Sequence, residues 1–576
     1  MVSPRRPLFV EIIKPSHYDD DGYVIQWFRA FVPSNSLACL YALARDVEER
    51  RALGDDVEIV VNAYDECHTV IPVRNIIRRI RANGGRGVVL LAGVQTNQMP
   101  RAIDLARQFR EAGIQVAIGG FHVSGCLAML PELPEELKTL RHMGVSLFAG
   151  EAEGRMEGLL RDALGGVMQP VYNYLGRLPE LQGQPTPILP REVARRSMFF
   201  APFDCGRGCP FQCSFCTVIN VQGRRSRYRD ADDVERIVRA NLAQGVRRFF
   251  ITDDNLARNQ NWEAILDRLI EIREREGVRF KFAMQADAMS HKVPGFIEKA
   301  ARAGCNRVFI GLENINPENL VAAGKFQNRV GQYRAMLQAW RAQGVVTYAG
   351  YILGLPCDTP ESIERDIRLI QRELPVDILE FMMLTPLPGS ADHRALHQSG
   401  AWMESDLNQY DLEHVTRRHP RMTADQWQAA YDRAWRLYYT PEHVATLLRR
   451  AKADGVGVRH VAYAVMSYYA SWRFEKVHPL QCGFFRRKVR TTRRPGLPIE
   501  NPVTFHLRRV WEIASTYFGL LRYWLHIERL RRQIEREADA DEDAPPAVLP
   551  LESSARMPEI LRTSQADSEP PEQAAA

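Results

Sequence analysis

The chain has 576 residues, of which 45% are hydrophobic and 25% are charged, and its net charge is +6. This length allows two or three domains, and the composition is that of an ordinary globular protein. The longest apolar runs fall far short of the roughly 20 residues that a membrane-spanning helix needs. The ten cysteines are scattered and do not indicate a disulfide framework. Without a transmembrane or secretory segment, we expect a cytoplasmic protein.

Residues 1–165 alternate short apolar runs with helical patterns, which predicts a Rossmann-like parallel sheet with ligands beyond the carboxyl ends of its strands. The predicted strands are Leu8–Ile13, Val57–Val61, Val88–Ala92, Gln115–Ile118 and Ser146–Phe148. The turns that follow the last three strands are polar or rich in glycine: Gln95-Thr96, Gly119-Gly120-Phe121-His122 and Gly150-Glu151. Such turns suit a nucleotide, a flavin or a corrinoid, and backbone geometry alone would also explain the glycines.

A Pro/Gly-rich connector covers 166–193, and six further strand and helix units follow over 194–395. The predicted strands are Met198–Phe203, Arg248–Thr252, Phe280–Met284, Arg307–Leu312, Thr347–Leu353 and Asp377–Leu384. This pattern predicts a partial (β/α)6 barrel of the TIM type, with active residues at the carboxyl ends of the strands. In the same region, Asp230 and Asp358 are predicted to cap the amino ends of helices.

Residues 396–536 predict a helical C-terminal domain, and the acidic segment 537–576 predicts disorder. Basic residues lead into an amphipathic helix from about Pro502 to Arg536. Such a helix suits peripheral contact with an anionic membrane, nucleic-acid binding, or docking on its own protein, and docking is the favoured interpretation.

The motif with the clearest chemistry is Cys209, Cys213 and Cys216 at the spacing C-x3-C-x2-C. Thiolates select iron–sulfur clusters or zinc, and clusters normally take four of them. Three thiolates can therefore hold a [4Fe-4S] cluster and leave one iron open for chemistry. Zinc would require a fourth ligand, from Cys205 or a distant histidine. A zinc-bearing binding protein is accordingly the alternative from another class.

With Phe215 directly before the last cysteine, this motif resembles that of the radical S-adenosylmethionine (SAM) superfamily. The resemblance implies that SAM chelates the open iron and that its reductive cleavage releases a 5'-deoxyadenosyl radical. An Asp-Asp-Asn sequence stands where the family usually has Gly-Gly-Glu. The SAM contacts that the resemblance implies are Phe215, Asp254, Asn255, Gln285, Glu313 and Gly354.

The N-terminal region resembles the cobalamin-binding domains of one large branch of this superfamily, which show Gly-Gly-x-His and Gly-Glu-x-Glu turns. The cobalamin contacts implied are Gln95, Thr96, Gly119, Gly120, His122, Gly150 and Glu151. The D-x-H-x-x-G motif of other cobalamin proteins is absent, so we expect no lower histidine ligand. For His122, a purely structural position on the rim explains the residue equally well.

Together these resemblances imply a cobalamin-dependent C-methyltransferase that acts on an unactivated carbon of a small substrate. The aromatic residues of the C-terminal region favour an apolar substrate. A radical SAM cyclase or oxidoreductase that transfers no methyl group is the alternative within enzymes. The electron would come from a donor such as flavodoxin or ferredoxin. Arg224, Arg225 and Arg227 lie just after the cluster motif and would attract such a donor, although a solvated basic loop is the simpler interpretation.

Overall fold

The structure is a computed structural model, and it describes residues 6–198 and 200–537. The tail predicted to be disordered lies outside the described residues, except for Glu537.

The strands occupy both predicted sheet regions and two further short pairs. They are β1 (Arg6–Lys14), β2 (Gln26–Ala30), β3 (Val57–Asp65), β4 (Gly87–Leu91), β5 (Gln115–Gly119), β6 (Ser146–Ala149), β7 (Val171–Asn173), β8 (Phe200–Phe203), β9 (Gly206–Arg207), β10 (Arg227–Tyr228), β11 (Arg248–Ile251), β12 (Lys281–Ala286), β13 (Cys305–Glu313), β14 (Val346–Leu353), β15 (Ile378–Met383) and β16 (Gly483–Arg487).

The helices separate these strands and dominate the C-terminal part of the described chain. They are α1 (Asn35–Glu49), α2 (Val73–Ala82), α3 (Met99–Glu111), α4 (Phe121–Met129), α5 (Glu135–His142), α6 (Met156–Gly165), α7 (Arg191–Arg196), α8 (Val218–Val221), α9 (Ala231–Ala243), α10 (Trp262–Glu274), α11 (Phe296–Ala303), α12 (Pro317–Ala322), α13 (Tyr333–Ala342), α14 (Pro360–Glu373), α15 (Ala391–Ser399), α16 (Ala424–Tyr438), α17 (Pro441–Ala453), α18 (Val458–Ala470) and α19 (Pro502–Arg536).

The N-terminal sheet is parallel and has the strand order β3-β1-β4-β5-β6-β7. Strand β1 pairs with β3 on one side and β4 on the other, and Leu8 and Ile12 on it are fully buried. Helices α2, α3 and α5 cover one face through a core that includes Ile80, Phe109 and Leu140. Burying each such side chain contributes about 1.5–3 kcal/mol. The parallel arrangement brings the turns after β4, β5 and β6 to one rim of the sheet.

The chain divides into two compact units. Unit 1 comprises Met1–Met284, Thr385–Arg417 and Ser471–Gly519, and unit 2 comprises Gln285–Leu384, Arg418–Ala470 and Leu520–Ala576. In unit 1, β11 pairs in parallel with β8 and with β12. In unit 2, β14 pairs in parallel with β13 and with β15. The domain boundaries inferred from the sequence stay predictions, since these units follow contacts and not chain order.

Helix capping agrees with the sequence at one predicted position and differs at the other. Asp230 caps α9, and its side chain accepts from the backbone N–H of Asp233. Asp358, in contrast, is not the cap of α14, because Thr359 takes that position. The Asp358 carboxylate instead accepts the backbone N–H groups of Gly354 and Leu355, at 2.8 and 3.0 Å. It therefore shapes the turn after β14.

Five strands lie where the sequence analysis predicts none, namely β2, β7, β9, β10 and β16. Strand β7 adds to the N-terminal sheet beside β6, although its residues belong to the predicted connector. Strand β2 pairs in antiparallel fashion with β16, so that Arg29 lies opposite Phe484. In the described part of the chain, no helix combines the length and the apolar character needed to cross a membrane.

Candidate functional site

The three motif cysteines lie in one loop of unit 1, between β9 and α8. Its entry needs a glycine, since Gly208 has φ +92° and a Cβ there would lie 2.4 Å from the carbonyl oxygen of Arg225. The Cys216 N–H donates to the Cys213 carbonyl at 3.2 Å, and the Cys209 N–H donates to the Gly223 carbonyl at the same distance. The loop thereby gathers all three residues, and Phe215 between them is half-buried.

The thiols of the loop interact electrostatically. Desolvation, together with the charges of Asp254, Cys213 and Cys209, raises the pKa of Cys216 to about 12. Such a thiol stays protonated until a metal ion displaces its proton. Burial also raises the pKa of Cys205, but the charges that act on it are those of Asp253, Asp204 and Arg229. The donor set of three thiols fits a [4Fe-4S] cluster with one open iron.

The end of β11 supplies the Asp-Asp-Asn sequence beside this loop. Asp253 is buried, and its carboxylate accepts the Cys205 N–H at 2.6 Å and the Asn259 side-chain amide at 3.2 Å. It therefore fixes the strand that leads into the cysteine loop, a role that the sequence analysis missed. The Asp254 side chain is exposed, but protein atoms surround it closely. The resulting desolvation raises its pKa to about 6. Asn255 is buried at the start of a short 3-10 helix.

The remaining predicted SAM contacts lie in unit 2, where Gln285 is half-buried on β12. A bulge precedes Glu313 on β13, and its carboxylate pairs with Lys325 while both side chains are 10–12% exposed. Gly354 has φ +97°, and a Cβ there would lie 1.8 Å from the Trp427 ring. These residues occupy strand ends, as predicted, but Glu313 and Gly354 each have a structural neighbour that the sequence did not reveal.

On the rim of the N-terminal sheet, backbone geometry explains one predicted glycine. Gly120 has φ +145°, and a Cβ there would lie 2.2 Å from the backbone nitrogen of Val94. Gly119 and Gly150 lie on the same rim, and the N–H of Gly150 donates to the Ser124 hydroxyl at 3.1 Å. Gln95 is exposed, so its side chain is accessible to a ligand.

Glu151 belongs to a buried ion-pair network centred on Arg207. The guanidinium of Arg207 lies 2.8 Å from Glu151, 2.7 Å from Glu153 and 3.2 Å from Asp204. Glu151 also pairs with Arg227. Burial alone would raise the pKa of Asp204, but Arg207 and Arg229 hold it below the usual range. The network links the rim to the strands beside the cysteine loop.

The His122 ring is enclosed on the rim, together with Thr96. Its Nδ1 lies 3.2 Å from the Thr96 hydroxyl, and its Nε2 lies 3.0 Å from the Glu136 carboxylate and 3.7 Å from the Cys126 thiol. Burial alone would lower the pKa of His122, but Cys126 and Glu136 raise it to about 10. The predicted roles of Thr96 and His122 in cofactor binding stay predictions.

A second histidine of the N-terminal domain, His68, is buried with Nδ1 3.0 Å from the Thr69 hydroxyl and Nε2 3.4 Å from the Ser197 hydroxyl. Both of its ring nitrogens therefore have hydrogen-bonding neighbours, like those of His122. The expectation that no histidine serves as a lower cobalt ligand stays a prediction.

Residues 388–392, which we call the wedge, contact both helix α4 of the N-terminal sheet domain and the cysteine loop within unit 1. Helix α4 touches it at Gly125, where a Cβ would lie 2.2 Å from the Pro388 carbonyl oxygen. On its other side the Asn220 amide donates to the Gly389 carbonyl at 2.8 Å, and the Asp392 N–H donates to the Ser214 carbonyl at 3.1 Å. One short segment therefore positions both regions.

Comparison with known proteins assigns these regions to one group. Residues 204–370 match the family model of the radical SAM superfamily. The chain is 26% identical to bacteriochlorophyllide d C-8(2)-methyltransferase of Chlorobaculum tepidum, over 56% of this chain and 71% of that protein. It is 25% identical to hopanoid C-2 methylase of Rhodopseudomonas palustris, over 63% of this chain and 69% of that protein.

The fold is shared with the radical S-adenosylmethionine methyltransferase TsrM from Kitasatospora setae, solved with cobalamin and a [4Fe-4S] cluster bound. The TM-score is 0.56 at 14% identity, over 80% of this chain and 99% of that chain. This likeness confirms the predicted fold class, an α/β protein with a Rossmann-like domain, a radical SAM barrel and a helical C-terminal region.

Proposed function

We propose that this chain is a member of the cobalamin-binding branch of the radical SAM superfamily and a methyltransferase that acts on an unactivated carbon of a small, apolar substrate. The match of residues 204–370 to the radical SAM family model and the methyltransferases among its relatives support this proposal. The observation that carries the proposal is the wedge, which packs on both the glycine-rich rim and the three-cysteine loop within one compact unit. A methyltransferase of this kind needs a corrinoid and a cluster-bound SAM at fixed positions.

The residues of this chain would hold and shield the cofactors. Cys209, Cys213 and Cys216 would bind three irons of the cluster, and Asp254 beside them would accept a hydrogen bond from the amino group of SAM. When bound, these cofactors supply the deoxyadenosyl radical and the transferable methyl group. The protein's own contribution is to orient the substrate carbon and to exclude water from the radical.

The decisive experiment measures the products of SAM in the anaerobically reconstituted, cobalamin-loaded protein. A methyltransferase forms S-adenosylhomocysteine as well as 5'-deoxyadenosine, whereas deoxyadenosine alone would favour a cyclase or an oxidoreductase. Replacing any cluster cysteine by alanine should abolish cleavage of SAM. Cys305→Ala is the matched control, because this cysteine begins β13, at the end of the strand away from Glu313. Bound zinc without iron would instead support the binding-protein alternative.

For the electron donor, we propose an acidic flavodoxin or ferredoxin that docks beside the cysteine loop. Arg224 and Arg225 are exposed there, whereas Arg227 is engaged with Glu151. Charge reversal at both exposed positions, Arg224→Glu with Arg225→Glu, should slow cluster reduction by flavodoxin at least tenfold. Reduction by dithionite should be unchanged, and equal rates with flavodoxin would overturn the docking site. We also propose a cytoplasmic location, since the ten scattered cysteines and an oxygen-sensitive cluster suit a reducing compartment.

Helix α19 supports contact with a lipid surface. Its Phe505, Ile527 and Ile534 are at most 4% exposed, so one face of the helix is buried. Apolar side chains recur every three or four residues on another face, which forms a continuous stripe. The stripe residues, which are 37–74% exposed, are Val503, Leu507, Val510, Trp511, Phe518, Leu521 and Leu525.

The charge of α19 specifies the kind of surface. The helix carries seven arginines and three glutamates. An apolar, aromatic stripe on a basic helix suits a bilayer with anionic headgroups. We therefore propose that α19 lies on an anionic membrane from which the enzyme takes its apolar substrate. That one relative is named a hopanoid methylase supports this substrate class.

Sedimentation with vesicles tests this surface. The full chain should bind vesicles that contain phosphatidylglycerol and should bind phosphatidylcholine vesicles at least tenfold more weakly. Leu507→Glu with Trp511→Glu should abolish binding. The control is Val167→Glu, which places the same charge on an isolated apolar residue that is 68% exposed. If the stripe variant loses a dimer and keeps vesicle binding, a second copy covers the stripe and the membrane proposal is wrong.

A further inference from the structure

Three side chains outside the predicted cluster site bring nitrogen, sulfur and oxygen donors together. The ligand atoms of His122, Cys126 and Glu136 all lie within 4.8 Å of one another. His122 and Cys126 are at most 2% exposed, and the Glu136 side chain is 21% exposed. Nothing in the proposed methyl transfer requires Cys126 or Glu136.

The backbone places these donors in a common arrangement for a metal. His122 and Cys126 are separated by one helical turn on α4, so both side chains lie on the same face. Glu136 is the second residue of α5 and approaches from the neighbouring helix. Histidine, cysteine and glutamate all provide zinc ligands, and three protein ligands leave a fourth position for water or another residue.

The distances agree with zinc geometry. A tetrahedral zinc with bonds of about 2.0–2.3 Å holds its ligand atoms roughly 3.3–3.7 Å apart. The Nε2 of His122 lies 3.7 Å from the Cys126 Sγ and 3.0 Å from the Glu136 Oε1. The third pair, the Cys126 Sγ and the Glu136 carboxylate, lies within 4.8 Å, so side-chain adjustment of at most about an ångström would admit the ion.

The surroundings of the site supply the outer contacts that a zinc ligand needs. The Thr96 hydroxyl lies 3.2 Å from Nδ1 of His122, so it orients the ring with Nε2 toward the other two ligands. A second histidine, His393, is 7% exposed, and its Nδ1 has no hydrogen-bond partner among the described residues. The charges of His122 and Glu136 act on this ring, so His393 or a water molecule would complete the coordination.

We propose that His122, Cys126 and Glu136 bind a zinc-class divalent cation. The cation would link α4 to the start of α5 and thereby hold the Gly119-Gly120 turn, which directly precedes α4, in one position. This site is separate from the three-cysteine loop, and its Cys126 and Glu136 are not among the predicted cobalamin contacts. The simpler arrangement is a histidine–glutamate ion pair beside a thiol. It predicts that the purified protein contains no zinc at this position.

The test uses the full chain with Cys209, Cys213 and Cys216 all replaced by alanine, which removes the thiols that could bind zinc adventitiously. After dialysis this parent should retain about one zinc per chain by mass spectrometry. Cobalt(II) added to the metal-free parent should give a thiolate-to-cobalt absorption band. Cys126→Ser in the same background should lose that band, and Glu136→Gln should weaken binding at least tenfold.

His142→Ala is the matched control, because this exposed histidine lies on α5 away from the ligands. It should bind zinc and cobalt as tightly as the parent. A parent that binds neither metal, or a Cys126→Ser variant that binds both as tightly, would overturn the site. The cobalt band of the parent reports the thiolate ligand directly, so the outcome does not depend on whether every variant folds.

Discussion

At the scale of single residues, Arg207 illustrates how a buried charge depends on its partners. Its guanidinium is 10% exposed and pairs with Glu151, Glu153 and Asp204. Arg207→Met would leave these carboxylates buried without that partner, so we expect a loss of about 3–5 kcal/mol in the free energy of unfolding. Urea denaturation of the metal-free protein measures it.

The matched control is Arg161→Met, since Arg161 pairs with Glu157 while the two side chains are 57% and 39% exposed. An exposed pair of this kind contributes less than about 1 kcal/mol. Equal losses for the two variants would contradict the structural role that we assign to the Arg207 network.

Protonation of His414 should make the stability of the folded protein depend on pH. Burial lowers the pKa of His414, but its hydrogen bond to Asp411 at 2.9 Å and the charges of Asp411 and Asp20 raise it to about 9. Since the pKa is higher in the folded than in the unfolded chain, the contribution is complete below about pH 6.5 and is lost as the pH rises through 9.

We therefore expect His414→Gln to cost about 1–2 kcal/mol at pH 6, a value reduced for partial solvent screening, and close to nothing at pH 10. Thermal or urea unfolding of both proteins at the two pH values gives the difference. A cost that is the same at pH 6 and pH 10 would show that the ion pair does not contribute.

At the scale of elements, contact with the wedge determines whether replacing a helical glycine by alanine stabilises or destabilises the protein. Alanine in place of glycine within a helix normally stabilises by about 0.5–1 kcal/mol. We expect this gain for Gly158→Ala in α6, where no atom lies within 4 Å of the new Cβ. Gly125→Ala in α4 should instead destabilise the protein, because its Cβ would lie 2.2 Å from the Pro388 carbonyl oxygen.

If the proposed function holds, Gly125→Ala should also lower methyl transfer more than cleavage of SAM, because it shifts the rim relative to the cysteine loop. The ratio of methylated product to deoxyadenosine measures this. A variant as stable as Gly158→Ala, with an unchanged ratio, would contradict the positioning role of the wedge.

Elements with their own sequence period could be predicted, and elements that depend on distant partners could not. The apolar run Gln115–Ile118 is predicted as a strand and lies within β5, and Asp230 is predicted as a helix cap and caps α9. Strand β2 pairs with β16 at the other end of the chain, so no local pattern reveals it. Likewise, the four-residue spacing of His122 and Cys126 on one helix is visible in the sequence. The third ligand of the proposed metal site, Glu136, comes from the next helix and could not be inferred from that spacing. The cysteine motif was readable because all three ligands lie within one loop.

At the scale of the whole molecule, the uneven charge predicts how membrane contact responds to salt. Residues 481–536 carry thirteen lysines and arginines against four acidic residues. Raising sodium chloride from 0.1 to 1 M shortens the screening length from about 10 to about 3 Å. Binding to anionic vesicles should therefore weaken at least tenfold, and what persists should depend on Trp511. Salt-independent binding would exclude an electrostatic contribution from α19.

The wedge also determines when during synthesis the cysteine loop acquires its support. Ribosomes make Cys209 to Cys216 long before Gly389 and Asp392, which hydrogen-bond to Asn220 and Ser214. A nascent chain that ends before residue 388 carries the thiols but lacks these contacts. If the three cysteines hold the proposed cluster, its stable insertion should therefore follow the synthesis of the wedge.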